Sequence, residues 1–274
     1  MKRPLTAGLF VLLSSLPGFV GAQTTASAPP GGVVRWAASG AGCVFKDEAV
    51  PSLGGDCLLT IDLDDRGTLT AERTVNGQRE TLDIVVDDYP YREQRLTIKD
   101  TRRVNVNEED AARAAEERKR IVATFERRSL RSFQLPLAQP LERLPRGGRF
   151  GARRIINGEP RSPHTGADYA ANQGTPVLAA ADGVVRLAEE HFFGGNSVFL
   201  DHGDGLITMY LHLHEIFVDP GESVTRGSVI GTVGSTGRST GPHLHFGIRW
   251  RGARVDPAFL LQPERISTVQ PASE

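Results

Sequence analysis

Between residues 150 and 250, short apolar runs alternate with glycine-bearing turns, and no helical stretch separates them. Parallel strands need a crossover of a dozen or more residues, usually a helix, so these runs can pair only as antiparallel neighbours. Val177-Leu178-Ala179-Ala180, the turn Asp182-Gly183 and Val184-Val185-Arg186-Leu187 read as one hairpin. Residues 197–200 and 206–213 flank a second turn, Asp201-His202-Gly203-Asp204-Gly205. Residues 224–234 supply one or two more strands, and residues 243–250 another. The chain's 30 glycines suit such turns. The polar, glycine-rich loop 235–241 is long enough to line a cleft beside the sheet.

The strand at 243–250 opens with Gly241-Pro242-His243-Leu244-His245-Phe246. Side chains alternate along a strand, so His243 and His245 project from one face. Two such imidazoles can share a metal ion, or one can hold metal while the other moves protons. All seven histidines lie between His164 and His245. Two further segments carry ligand-competent side chains: His164-Thr165-Gly166-Ala167-Asp168 and Tyr210-Leu211-His212-Leu213-His214. Imidazole with carboxylate suits Zn²⁺ with an open position. His191, before Phe192-Phe193, reads as a loop residue, His202 as a turn residue with local hydrogen bonds, and His214 as incidental.

H-x-x-x-D, then Y-x-H, then G-P-H-L-H-F resembles the M23 family of zinc metallopeptidases, the lysostaphin- and LytM-like peptidoglycan endopeptidases. The likeness covers residues 150–261 and extends to Asn157-Gly158, Ala181-Asp182-Gly183, Gly231-Thr232-Val233-Gly234 and Asp256-Pro257, in the family's order. It implies that His164, Asp168 and His245 are the zinc ligands and that His243 and His212 are catalytic. His243 then serves as general base and His212 orients the water or stabilises the tetrahedral intermediate; the two roles could be exchanged. Tyr210 is a candidate substrate contact or a packing aromatic, on the expectation that it shares a strand face with His212. The implied function is hydrolysis of the peptide crosslinks of peptidoglycan. The alternatives are a non-catalytic LytM-like regulator of wall hydrolases, and a general secreted protease of glycine-rich proteins. All five family positions are filled here, which favours the enzyme.

The predicted fold is mainly β: an antiparallel-sheet M23 domain, 149–262, preceded by a small β-sandwich or barrel, 33–100, and a connecting helix. Alternating runs at 68–75 and 81–86 flank Asn76-Gly77, a strong hairpin signal because both residues tolerate positive φ. Residues 89–98 resemble, over a shorter span, the end of an accessory β-domain that precedes some M23 domains. Residues 107–128 read as a helix capped by Asn107, with Glu108, Glu109 and Asp110 at its positive end. Its thin apolar stripe suits a helix lying across a surface. Helix and linker together span 101–148. Pro136, Pro140 and Pro145 exclude a continuous helix in the linker. Arg143, Arg146, Arg149, Arg153 and Arg154 can touch anionic wall polymers or simply solubilise the stretch. Two regions so joined would also let the first cover a groove in the second.

The N-terminus reads as an export signal, 1–22, with Lys2 and Arg3 before an apolar run and Val20-Gly21-Ala22 at the cleavage point. No membrane span is expected after cleavage, and the destination is the periplasm or cell envelope, or the medium. Residues 23–32, rich in Ala, Ser, Thr, Pro and Gly, read as a flexible lead-in, and 263–274 as a tail. Cys43 and Cys57 suggest one disulfide in an exported chain, with two buried thiols as the alternative. A net charge of −1 argues against nucleic acid as partner. The sequence sets no oligomeric state.

Overall fold

The structure is a computed structural model and describes residues 23–270 except Ala38, Ser39, Ala41 and Arg146. The expected export signal and residues 271–274 lie outside the described residues. No helix among the described residues is long and apolar enough to cross a membrane.

Seven strands open the chain: β1 (Gln23–Ala28), β2 (Val33–Trp36), β3 (Cys43–Phe45), β4 (Glu48–Val50), β5 (Cys57–Thr60), β6 (Thr68–Val75) and β7 (Gln78–Val86). One sheet runs in the order β1-β7-β6-β3-β4. β2 and β5 pair antiparallel in a second sheet. Trp36, Leu59, Ile61, Leu82 and Ile84 are buried in one cluster drawn from both sheets. The Asn76-Gly77 turn joins β6 to β7 with both residues at positive φ, 50° and 78°. Cys43 and Cys57 form a disulfide. Residues 23–28, expected to be a flexible lead-in, instead form β1, parallel to β7 with Thr25 opposite Asp83. An edge strand needs backbone partners more than apolar side chains, which is why composition misreads it.

β8 (Glu93–Leu96) follows, and then the predicted helix, α1 (Glu108–Phe125). The Asn107 side chain accepts the Asp110 N–H at 2.8 Å, capping it. The described residues of 129–148 contain no helix, but Phe133, Leu137 and Leu141 are buried against the second region. The segment is a strap rather than a free linker.

The second region comprises β9 (Arg153–Ile156), β10 (Glu159–Arg161), β11 (Gly166–Ala170), β12 (Pro176–Leu178), β13 (Gly183–His191), β14 (Gly195–Asp201), β15 (Leu206–Ile216), β16 (Ser223–Val224), β17 (Val229–Val233), β18 (His243–Trp250), β19 (Ala253–Val255) and the short helix α2 (Pro257–Leu261). Its main sheet runs β11-β18-β15-β14-β13-β16, and β18 pairs antiparallel with both β11 and β15. The inner face carries Tyr210, Leu244, Phe246, Ile248 and Trp250 into the main core. At one end of the outer face, Phe199, Ile207 and Met209 pack beneath Ile121 and Phe125 of α1. The thin apolar stripe of the helix is therefore sufficient, because it covers only part of one face.

The final strand, β20 (Ser267–Val269), joins β2 in parallel, with Val34 opposite Ser267. The expected C-terminal tail thus completes the N-terminal sandwich. The two regions are also pinned by charge. Arg254 of β19 bonds both carboxylate oxygens of Asp62 and pairs with Asp64. Burial would raise the Asp62 carboxyl, but Arg254 outweighs it and draws the pKa down to about 2.

Candidate metal centre

β11 and β18 bring the predicted ligands together, with Asp168 directly opposite His245 in register. His164 enters from the loop just before β11. One ligand-competent atom from each of His164, Asp168 and His245 lies within 4.8 Å of the others. His164 Nε2 is 2.9 Å from His245 Nδ1 and 3.0 Å from Asp168 Oδ1. His245 Nδ1 is 2.8 Å from the same oxygen.

Hydrogen bonding sets the tautomers. His164 Nδ1 donates to the Arg149 carbonyl at 2.9 Å, since a carbonyl can only accept. Its Nε2 therefore presents a lone pair to a carboxylate oxygen and a second ring nitrogen. Burial draws the His164 pKa down to about 4, so the ring is neutral near pH 7. Burial alone would raise the Asp168 carboxyl, but the close His164 and His245 rings hold it well below the usual carboxylate range. Two imidazoles and a carboxylate aimed at one point are the donor set of an open zinc site, and the site fits zinc. The carbonyl that fixes His164 is the second partner that ligating histidines ordinarily have.

His243 and His212 flank this set. Their rings lie 4.9 Å apart, and His243 Nε2 is 3.8 Å from Asp168 Oδ1. His243 Nδ1 donates to the Gly241 carbonyl and His212 Nδ1 to the Thr236 carbonyl, both at 2.8 Å. Both residues therefore keep a bare Nε2. Burial, and then the neighbouring His243 ring, pull the His212 pKa down to about 3, leaving it a neutral acceptor.

His212 reaches the site through a β-bulge. Tyr210 pairs with Val198 and Leu213 with Asn196, so two residues of β15 oppose one of β14. His212 takes φ +65° and gives its N–H to the Gly194 carbonyl at 2.8 Å. Without the bulge, strand alternation would point it inward beside Tyr210. This corrects the expected placement of Tyr210, which is fully buried on the inner face. Its hydroxyl accepts the Ala180 N–H at 2.8 Å, and its ring packs 5.2 Å from Phe246. It is a core residue and not a substrate contact.

A groove of about 370 Å³ runs past Asp168, His212 and His243. The loop residues Arg238, Ser239, Thr240 and Gly241 form one wall, as the sequence suggested. Among the described residues of 33–100, Gln94, Leu96 and Ile98 line it. Arg154, expected only as part of a basic stretch, turns inward and places Nη2 3.2 Å from Asp168 Oδ2. Gly166 is a second residue that pattern reading missed. A Cβ there would lie 2.6 Å from both His245 Nε2 and the Phe246 carbonyl, so the ligand ring needs glycine beneath it.

The remaining histidines are elsewhere. His202 is buried, with Nδ1 2.7 Å from the Asp182 carbonyl and Nε2 2.7 Å from Thr208 Oγ1. His191 ends β13 instead of lying in a loop, buried edge-on against Phe199. His214 contacts Gln173 at 3.4 Å.

The profile of Peptidase family M23 matches residues 162–257, which include His164, Asp168, His212, His243 and His245. The chain is 40% identical over 140 residues to the peptidoglycan DD-endopeptidase ShyC of Vibrio cholerae serotype O1, a span of 50% of this chain and 32% of that protein. It is 50% identical over 100 residues to the DD-carboxypeptidase/endopeptidase Mpg of Neisseria meningitidis serogroup B, covering 36% of this chain and 23% of the relative. The chain thus spans about a third or less of these relatives. A Pseudomonas aeruginosa crystal structure assigned to peptidase M23 matches far more completely, at 30% identity and TM-score 0.64 over 85% of this chain and 94% of that one. A likeness that runs nearly the length of a solved M23 structure, with a profile match centred on the site, shows that the chain belongs to peptidase family M23.

Proposed function

We propose that the chain is an exported zinc metalloendopeptidase that hydrolyses peptide crosslinks of bacterial peptidoglycan. The observation that carries this reading is the convergence of His164, Asp168 and His245 beside two histidines with bare Nε2 atoms in one groove. The relatives named as peptidoglycan DD-endopeptidases and the signal-like residues 1–22 support the substrate and the destination, the periplasm or cell envelope. The division that goes with this reading is a sandwich at 33–100, a connector at 101–148 and the peptidase at 149–262.

Zinc held by His164, Asp168 and His245 supplies a Lewis acid for the scissile carbonyl and a water nucleophile active near neutral pH. His243 is the general base. Its Nδ1–H is committed to Gly241, so Nε2 accepts the proton of the water and returns it to the leaving amine. His212 orients the water by accepting its other hydrogen. A ring whose pKa is drawn down to about 3 stays neutral, and its Nδ1–H is already given to Thr236, so it has no N–H with which to stabilise an oxyanion.

Incubation with purified peptidoglycan and mass spectrometry of the released fragments tests the proposal. Soluble fragments with a new amine and a new carboxyl at one crosslink are expected. Intact crosslinks after exhaustive incubation with zinc-loaded protein would refute it in favour of the regulator.

A further inference from the structure

Three arginines, Arg149, Arg154 and Arg238, line the same groove as Asp168, His212 and His243. Asp168 is the one carboxylate among the lining residues described, and its geometry commits it to the metal. Arg154 Nε is buried with no hydrogen-bond partner, and Nη2 meets only Asp168. The Arg238 guanidinium has no carboxylate partner among the described residues. It lies 4.5 Å over the Phe193 ring, and its backbone N–H is held by the Phe193 carbonyl at 2.9 Å, so the loop presents it from a fixed shelf.

A fourth arginine adds to the field. Arg161 sits directly opposite Arg154 in the β9–β10 register. Like charges facing each other across strands destabilise a sheet. Burial, and then the charges of Arg154 and Arg161, bring the Arg238 pKa down to about 10. Arg161 is paired with Glu159 at 2.6 Å and Arg154 with the candidate ligand Asp168, whereas Arg149 and Arg238 have no carboxylate partner among the described residues, so the groove keeps an excess of positive charge that an anionic ligand would offset. Planar guanidinium forks match a carboxylate in particular.

We propose that Arg154 and Arg238, with Arg149 at the rim, form a carboxylate subsite that selects peptides bearing a free carboxylate within one or two residues of the bond to be cut. The distance follows from Arg154, whose Nη2 is 3.2 Å from an oxygen of a metal ligand, while an extended peptide advances only about 3.3 Å per residue. The inference rests on the endopeptidase reading and sharpens it: uncharged glycine bridges would be poor substrates, and acidic crosslinks good ones.

The test uses a matched pair, N-acetyl-D-alanyl-D-alanine and its C-terminal carboxamide, titrated calorimetrically into the zinc-loaded chain. The acid should bind about 10- to 100-fold more tightly than the amide, the worth of a charge-assisted hydrogen bond. Arg238→Gln should remove most of that preference while leaving zinc content and affinity for the amide as they were. Arg238→Lys should restore part of it. Equal affinity of the native chain for acid and amide overturns the subsite, as does an Arg238→Gln variant that keeps the full preference. Hydrolysis is followed in the same samples. A chain that prefers the acid but cuts neither peptide nor peptidoglycan refutes the peptidase reading and keeps the subsite. A chain that cuts both peptides equally does the reverse.

Discussion

The N-terminal sandwich and the C-terminal sheet are both β structures, yet they bury different things. The sandwich core is hydrocarbon and a disulfide: Trp36, Leu59, Ile61, Leu82 and Ile84 around Cys43–Cys57. Its buried charge, Arg73, is satisfied by Glu80 at 2.7 Å and stacks 3.9 Å over Trp36. The C-terminal sheet buries His164, His191, His202, His212 and His245, together with Asp201 and Thr208. Burying polar groups is expensive unless each is paired. The sandwich thus buries almost only apolar surface, while the C-terminal region buries a row of polar side chains, the candidate ligands among them. The strained bulge at His212 belongs to the second region.

Breaking the second region at its centre has the largest expected effect. His245→Ala removes a ligand, so tightly bound zinc should disappear from dialysed protein and wall lysis should fall to background, with the sandwich still folded. Full zinc stoichiometry measured by mass spectrometry of the metal would contradict the ligand assignment. His243→Ala should keep zinc and lose about 10²–10⁴-fold in turnover, the range for a general base. A near-normal rate would pass that role to His212.

The reverse break comes next. Replacing Cys43 and Cys57 by serine should cost about 3 kcal/mol for a loop of this length, on the chain-entropy view. The loss should appear as a lower urea midpoint, while zinc content stays unchanged. Should zinc fall with it, the two regions are one cooperative unit through β20 and the Arg254–Asp62 bridge. Gly166→Ala should weaken zinc by about 10- to 100-fold, as disturbing the surroundings of a ligand usually does. Metal competition titration reads this directly.

Acid should separate the regions most gently. His202 has its pKa pulled by burial to about 4, against about 6.5 when unfolded. Protons then favour the unfolded chain, so the stability of the C-terminal region is full above about pH 6.5 and declines as pH falls toward 4. The sandwich has no histidine and should not respond in that window. Its bridge through Asp62, depressed to about 2, holds until lower pH still. Peptide-resolved hydrogen exchange across this range measures both regions at once. Equal loosening of the two would remove the distinction.

What could be read from residues alone follows from period and punctuation. Alternation and glycine turns specify hairpins, Asn76-Gly77 specifies its own turn, and Asn107 its helix cap, because each acts within a few residues. The candidate ligand triad was legible through the resemblance to the M23 motifs, which set His164 and Asp168 four apart and put His243 and His245 on one strand face. Tertiary structure decided the rest, since it depends on partners far away in the chain. Pairing with β7 ordered residues 23–28, and β2 captured residues 267–269, neither of which has enough apolar surface to announce itself. A one-residue bulge, invisible to a period of two, parted His212 from Tyr210 and turned it to the face that carries His243. Arg154, one arginine among several in a basic stretch, became part of the site only when β9 carried it across to Asp168.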